Sequence, residues 1–358
     1  MAVSVMIKPA SSKCNLRCKY CFYCDVSNNR AETDKGFMTL ETAENVIKKA
    51  FSFGRDSVSF TFQGGEPLLA GIDFFKKFVS TVDKQNADGT LSVSYFLQTN
   101  ATLIDDEWCR FFKENNFLLG VSLDGNEEQN RYRVYKDGRS SFDDVVSSVD
   151  LLKKHGVNFN IVSVLTKQLA NSFRDSYKFF KSIGADYLQY IPCINDFNEV
   201  NEYSMDNDDY VNYLNSAFKI YYNSKMRNAH ISIRQFDNYC LLCRNQNAEQ
   251  CGMNGVCSNQ FVVEGDGSVY PCDFYCIDDF YLGNINDTDF EEMYNSPVTV
   301  EFIKDSFKLK EECKNCDVFY LCRGGGCKRN RKSFDYCRAY KQFFSANAEK
   351  LSKITSAI

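Results

Sequence analysis

No apolar run in this chain approaches the 18 residues that a membrane-spanning helix requires. Positive charge is not in surplus either. Lys and Arg number 42 against 47 Asp and Glu, for a net charge of −5. That balance removes any global electrostatic pull toward nucleic acid or an anionic membrane, and neither is expected as a partner. There is no internal repeat of fixed period and no low-complexity tract. The N-terminal stretch MAVSVMIKPA is apolar for too few residues before Lys8 to act as a signal peptide, so a cytoplasmic protein is expected.

What remains is a globular chain of 358 residues, 44% hydrophobic and 25% charged, long enough for two or three domains. Its unusual feature is 17 cysteines. In a reducing compartment thiols bind metal or do chemistry rather than form disulfides. The odd count also fits poorly with a closed disulfide framework.

From residue 1 to about residue 195, strand patterns alternate with helical ones. Val58, Phe60 and Phe62 alternate with Ser59 and Thr61 and run into QGGEP. SVSYFLQTN, FLLGVSLDG, VNFNIVSVLT and ADYLQYIP read the same way, with a first strand near Val3 to Ile7. TLETAENVIKKAFSF, IDFFKKFVSTVDKQ, SFDDVVSSVDLLKKHG and NSFRDSYKFFKSIG read as helices between them. Six strand–helix units argue for an α/β fold with a parallel sheet, open or curled into part of a barrel. In such sheets ligands bind at the carboxyl ends of the strands, where GGEP, QTN and SLDG fall. The polar stretch Asn195 to Asp209 reads as a linker, followed by a helix over about Tyr210 to Met226. Eleven of the 17 cysteines lie between Cys240 and Cys337, a region expected to have little conventional core and to depend on metal for cohesion. A last helix near AYKQFFSANAEKLSKI closes the chain.

Cys14, Cys18 and Cys21 follow the spacing C-x3-C-x2-C. Zinc sites take four ligands, commonly as two C-x2-C pairs. Three thiolates on one short loop suit instead a [4Fe–4S] cube with one iron left open, and Cys24 is an alternative fourth ligand. C-x3-C-x2-C followed by aromatics, with GGEP about 40 residues later and directly after a strand, resembles the radical SAM superfamily. The resemblance implies that S-adenosylmethionine chelates the open iron and is cleaved to a 5′-deoxyadenosyl radical. It also implies that Gly64, Gly65 and Glu66 accept hydrogen bonds from the methionine ammonium.

Further on, the cysteine spacing suits two fully ligated [4Fe–4S] clusters, with two zinc sites as the alternative. It resembles the SPASM extension of peptide-modifying radical SAM enzymes. That resemblance implies one cluster on Cys251, Cys257, Cys272 and Cys327. It implies a second on Cys313, Cys316, Cys322 and Cys337, making three [4Fe–4S] clusters in all. The loop RGGG between Cys322 and Cys327 is one glycine longer than the family's usual three residues. The expected domains are a partial (β/α)6 TIM barrel of the radical SAM type over 1–200, a linker and bridging helix over 201–240, the SPASM domain over 241–340 and a C-terminal helix over 341–358. Cys109, beside Trp108 in a helical pattern, reads as core, and Cys240 with Cys243 as plain thiols. Cys193 and Cys276 remain without a role.

The strings IKPASSKCNLRCKYCFY, FQGGEPLLAG, LQTN and CGMNGVCSNQFVVEGDGSVYPCDFY together resemble anaerobic sulfatase-maturating enzymes, over about residues 3 to 340. The resemblance implies oxidation of a cysteine or serine in a sulfatase polypeptide to Cα-formylglycine. It implies binding of a C/S-x-P/A-x-R segment and an electron donor such as flavodoxin or ferredoxin. After hydrogen abstraction the substrate must lose one proton and one electron. Asp273, next to Cys272, is the candidate base, with a surface or capping carboxylate as the alternative. Tyr23 is expected against the adenine, Gln98 and Ser122 toward ribose and methionine, and Arg133 on the methionine carboxylate. Gln63 is expected to face the substrate. The chain departs from the family in DGNEEQNRYRV, where Pro after DG and His-Asp before RYR are usual. A SPASM maturase that crosslinks or epimerises a ribosomal precursor peptide is the alternative enzyme, and a non-catalytic iron–sulfur electron carrier the alternative of another class.

Overall fold

The structure, a computed structural model, describes residues 2–357. The chain divides into two compact units. Among the described residues, the first holds 2–122, 133–159 and 258–302, and the second holds 123–132, 160–257 and 303–357.

In the first unit four strands run in parallel: β1 (Ala2–Ile7), β2 (Ser57–Phe62), β3 (Ser92–Thr99) and β4 (Leu118–Ser122). The alternation read from sequence has a direct cause in β2, where Val58, Phe60 and Phe62 are buried and the residues between them half-buried. Phe60 and Phe62 meet Phe78 and Phe75 on the helix Ile72–Gln85, at centroid distances of 5.1 and 4.9 Å. Helix starts follow local chemistry. Thr39 accepts from the Thr42 amide at the head of Leu40–Phe53, and Asp105 from the Trp108 amide at the head of Asp106–Glu114. Cys109, in the latter helix, is fully buried. Because β1 to β4 are parallel, Lys8, Gln63, Asn100 and Ser122 all lie at the same end of the sheet.

In the second unit β6 (Tyr187–Pro192) pairs in parallel with β5 (Asn158–Leu165) on one side and β7 (Ser232–Ile233) on the other. Helices Asn207–Met226, Arg234–Cys243 and Cys337–Ala357 pack through Phe218, Phe236 and Phe343. The polar stretch from Asn195 stays irregular until Asp206 caps the first of these helices with a capping box to Asp209.

The cysteine-rich stretch does not lack a conventional core, contrary to the expectation from composition. β8 (Val262–Val263) pairs in parallel with β1, and β9 (Ser268–Tyr270) and β10 (Gly283–Asn284) extend the sheet antiparallel. Phe261, Val262, Val263, Val269, Ile285, Phe290 and Met293 are buried there. The strands are only two or three residues long, too short for a period to be read from sequence. Each compact unit is assembled from three separate segments of the chain. No helix among the described residues is long and apolar enough to cross a membrane.

Candidate active site and cluster-binding thiols

The loop after β1 carries Cys14, Cys18 and Cys21, and its shape depends on QGGEP. The amides of Gly65 and Glu66 donate to the carbonyls of Ser11 and Lys13, at 2.9 and 2.7 Å. A Cβ on Gly65 would fall 2.0 Å from the Lys13 carbonyl oxygen, so only glycine lets the two backbones approach this closely. Glu66 is fully buried and serves the motif from within. Its carboxylate accepts from Leu68 N (3.0 Å), Thr99 Oγ1 (2.8 Å) and Asn100 N (2.8 Å). Burial raises its pKa to about 7 against the pull of those three donors. Asn100 in turn donates to Asn15 Oδ1 at 2.9 Å and lies 3.7 Å from Cys14 Sγ. Burial pushes the Cys14 thiol up to about 12, so a thiolate there needs the positive charge of a metal.

Arg133, in the segment after the short helix Glu127–Asn130, packs beside the cysteine loop. Its guanidinium lies 5.5 Å from the centre of the Tyr20 ring, and Arg17 N donates to the neighbouring Val134 carbonyl at 2.7 Å. Gln98 Nε2 donates to Ser122 Oγ at 2.8 Å, which joins the ends of β3 and β4.

A second group gathers around Asp273, which sits in a 3-10 turn (Asp273–Tyr275) directly after Cys272 and is 5% exposed. Tyr23 Oη donates to its Oδ2 at 2.6 Å, and Gln63 Nε2 to the same oxygen at 3.2 Å. Lys8 Nζ pairs with Oδ1 at 2.8 Å, an ion pair rather than a well-directed hydrogen bond. Lys8 also reaches Glu264 Oε1 and Cys276 Sγ, each at 3.3 Å, and lies 4.8 Å from the Tyr23 ring centre. Arg30 pairs with the same Glu264 oxygen at 2.7 Å. Burial works against the Lys8 ammonium, but Asp273, Cys276 and Glu264 outweigh it and hold its pKa well above the ordinary lysine value. Burial likewise opposes ionisation of Glu264, and Lys8 with Arg30 overcome it and hold its carboxyl below its usual value.

The structure thus brings Tyr23 and Gln63 to Asp273, the expected base. Sequence reasoning missed Lys8, Arg30 and Glu264. The strings IKPASSK and VVEGDG were in view, but nothing in their spacing ties one buried cation to a carboxylate far along the chain.

Among the thiols of the second unit, Cys313, Cys316, Cys322 and Cys337 line a single cavity of about 330 Å³. That is far more room than one ion needs, and four thiols around it suit a cluster. Arg323, Gly324, Gly325 and Gly326 all have φ between 47° and 93°, so the long loop between Cys322 and Cys327 runs left-handed where a Cβ is strained. Cys251 and Cys257 approach Cys327, and Gly252 backs directly onto it. Cys272 belongs to the first unit. Cys24 shares a contact with Cys21, and Cys240 lies 3.8 Å from Tyr221 Oη. Among the described residues no three Cys, His, Asp or Glu side chains converge as closely as the ligands of one ion do.

Residues 9–180 match the description of the radical SAM superfamily, and residues 251–317 that of the SPASM iron–sulfur cluster-binding domain. A cysteine-type anaerobic sulfatase-maturating enzyme of Clostridium novyi (strain NT) is 41% identical over all of this chain and 98% of its own length. The chain belongs to the anaerobic sulfatase-maturating enzymes. A serine-type member from Bacteroides thetaiotaomicron is 33% identical over 95% of this chain and 88% of its own. The solved structure of anSMEcpe with bound AdoMet and Cp18Cys peptide superimposes with a TM-score of 0.93 at 40% identity, covering 99% of each chain. Membership accounts for the α/β fold with an open parallel sheet, the SPASM thiols and a radical SAM oxidoreductase that acts on sulfatase polypeptides. In this sulfatase-maturating enzyme the thiol donor sets suit iron–sulfur clusters in number and type, as the family requires.

Proposed function

We infer that this enzyme is cysteine-type and that Asp273 is the base of the reaction. The observation that carries the reading is the convergence of Tyr23, Gln63 and Lys8 on Asp273, because Tyr23 lies two residues beyond Cys21 in the C-x3-C-x2-C loop. Higher identity to the cysteine-type relative than to the serine-type one supports the substrate choice.

Cys14, Cys18 and Cys21 would hold the cluster with the open iron. Cys251, Cys257, Cys272 and Cys327 would hold one auxiliary cluster, and Cys313, Cys316, Cys322 and Cys337 the other. When bound, these clusters and S-adenosylmethionine supply a hydrogen-abstracting radical and a sink for one electron. The chain's own residues do the rest. Gly64 and Gly65 present backbone to the methionine ammonium, and Glu66 keeps that backbone in place from beneath. Arg133 pairs with the methionine carboxylate, and Gln98 with Ser122 faces the ribose. Tyr23 and Gln63 orient Asp273 Oδ2, and Lys8 fixes Oδ1. Asp273 accepts the proton that the substrate cysteine loses as its carbon–sulfur bond gains double-bond character. A C-x-P/A-x-R segment of a sulfatase is the substrate, and a flavodoxin- or ferredoxin-type protein the electron donor. Thiols of this number point to a reducing, cytoplasmic setting.

The test is anaerobic incubation of reconstituted protein with S-adenosylmethionine, reductant and two motif peptides that differ only in Cys or Ser. Mass spectrometry should show formylglycine from the Cys peptide at the higher rate. Equal or faster conversion of the Ser peptide would overturn the cysteine-type reading.

A further inference from the structure

Two N–H groups point at one sulfur in the cysteine loop. Asn100 Nδ2 donates to Cys14 Sγ at 3.7 Å, and the Leu16 amide donates to the same atom at 3.4 Å. The Leu16 amide comes with the loop itself. The Asn100 side chain comes from the carboxyl end of β3, 86 residues away, and its aim is set by a closed network. Asn100 Oδ1 accepts from the Thr102 amide at 3.0 Å and from Thr102 Oγ1 at 2.8 Å. With a backbone N–H at its oxygen, the amide group cannot turn over, and Nδ2 faces the loop. Its two hydrogens have two acceptors there, Asn15 Oδ1 at 2.9 Å and Cys14 Sγ. Asn15 Nδ2 closes the ring by donating to Thr102 Oγ1 at 2.8 Å.

The backbone is bent to make this possible. Ala101, between Asn100 and Thr102, has a φ of 62°, in the left-handed region that a residue with a Cβ rarely adopts. Ala101 is fully buried, and the turn is held on both sides. Asn100 N donates to Glu66 Oε2 at 2.8 Å, and the Ala101 carbonyl accepts from Ser148 Oγ at 2.7 Å. A strained turn that its surroundings fix this firmly, and that delivers one N–H to one sulfur, points to a functional constraint.

We infer that Asn100 is a positioning residue that tunes the open-iron cluster through Cys14. The inference rests on the reading of Cys14, Cys18 and Cys21 as the ligands of that cluster. A ligand sulfur carries more negative charge when its cluster is reduced, so an N–H donor aimed at it favours the reduced form. One electron enters, and no bond or proton moves with it. Asn100 thus makes the cluster easier to reduce, and it acts through the sulfur rather than as a ligand of iron.

The experiment uses the reconstituted holoenzyme. Anaerobic potentiometry read by electron paramagnetic resonance gives the potential at which each reduced cluster appears. The signal that changes on addition of S-adenosylmethionine is that of the open-iron cluster. Asn100→Leu keeps the volume and removes the donor. Its open-iron cluster should be harder to reduce by about tenfold in the reduction equilibrium, or about 59 mV for one electron. The other two clusters should keep their potentials. Thr102→Val takes one of two donors from the amide oxygen and leaves Nδ2 in place, so a smaller shift of the same sign is expected. Iron should stay at about twelve per chain in both variants. An unchanged potential in Asn100→Leu with iron complete would overturn the proposal. If Asn100→Leu instead loses iron from the first site, Thr102→Val decides. A lowered potential there supports the tuning role, and an unchanged one makes Asn100 a support of the loop only. Absence of any signal that responds to S-adenosylmethionine in the unaltered enzyme would instead sink the reading of the three cysteines, and the two failures are separately visible.

Discussion

The Lys8 ammonium stands 2.8 Å from one carboxylate oxygen of Asp273, while Tyr23 and Gln63 hold the other. The same ammonium touches Glu264, which keeps a second cation in Arg30. Asp273 has no second cation among these contacts. Removal of Lys8 therefore falls on Asp273 more heavily than on Glu264. In Lys8→Met, formylglycine formation should fall by about 10–100-fold, as when a supporting residue around a reactive centre is lost. The Michaelis constant for peptide should change little, and Lys8→Arg should recover part of the rate. Iron content that falls in step with activity, with no rescue by Arg, would make Lys8 a packing residue only.

Asp273→Asn separates proton transfer from hydrogen abstraction. The amide cannot take up a proton at neutral pH, so product should drop by roughly 10²–10⁴-fold. Abstraction precedes proton loss. With peptide deuterated at the target Cβ, deuterium should still reach 5′-deoxyadenosine. Lys8 keeps Glu264 as partner, so the fold should hold. Product and deuterium transfer at unaltered rates would mean that another group is the base.

Gly65→Ala tests the contact between GGEP and the cysteine loop. The added carbon meets backbone, the Lys13 carbonyl, which no rotamer change can relieve. Strain of about 1–3 kcal/mol should fall on the segment that leads into Cys14. Anaerobically reconstituted variant should lose about four of roughly twelve iron atoms, counted as three cubes. A full complement of iron with normal S-adenosylmethionine affinity would refute the loop's dependence on this glycine.

Glu66 makes stability depend on pH in a stated direction. Its carboxyl is raised from 4.5 to about 7 in the folded protein. Between those values the folded chain holds a proton that the unfolded chain has released. Fewer protons bound in the unfolded state means that stability falls as pH rises through the window, by up to about 3 kcal/mol. Glu66→Gln has no such proton. Anaerobic urea unfolding from pH 5 to pH 8 should show the unaltered protein losing ground to the variant as pH rises to about 7. Parallel profiles would place Glu66 outside this linkage.

The spacing of Cys14, Cys18 and Cys21 and the string GGEP marked the expected cofactor site, because metal ligation and close backbone approach demand particular residues at short, fixed separations. β2 was legible for a similar reason: the two-residue alternation of Val58, Phe60 and Phe62 is a local consequence of burying one face of a strand. The short strands β8, β9 and β10 carry too few residues for such a pattern, and their place beside β1 is settled by pairing across the fold. The Lys8–Asp273–Glu264 group escaped notice for the same physical reason. A buried charge is tolerated only where its counter-charge is also buried, and that partner is chosen by proximity in three dimensions. Sequence alone determined which ligands and which glycines are present. Only the tertiary structure decided that Tyr23 serves Asp273, because the 2.6 Å between their oxygens depends on the loop after β1 and the turn after β9 being folded against each other.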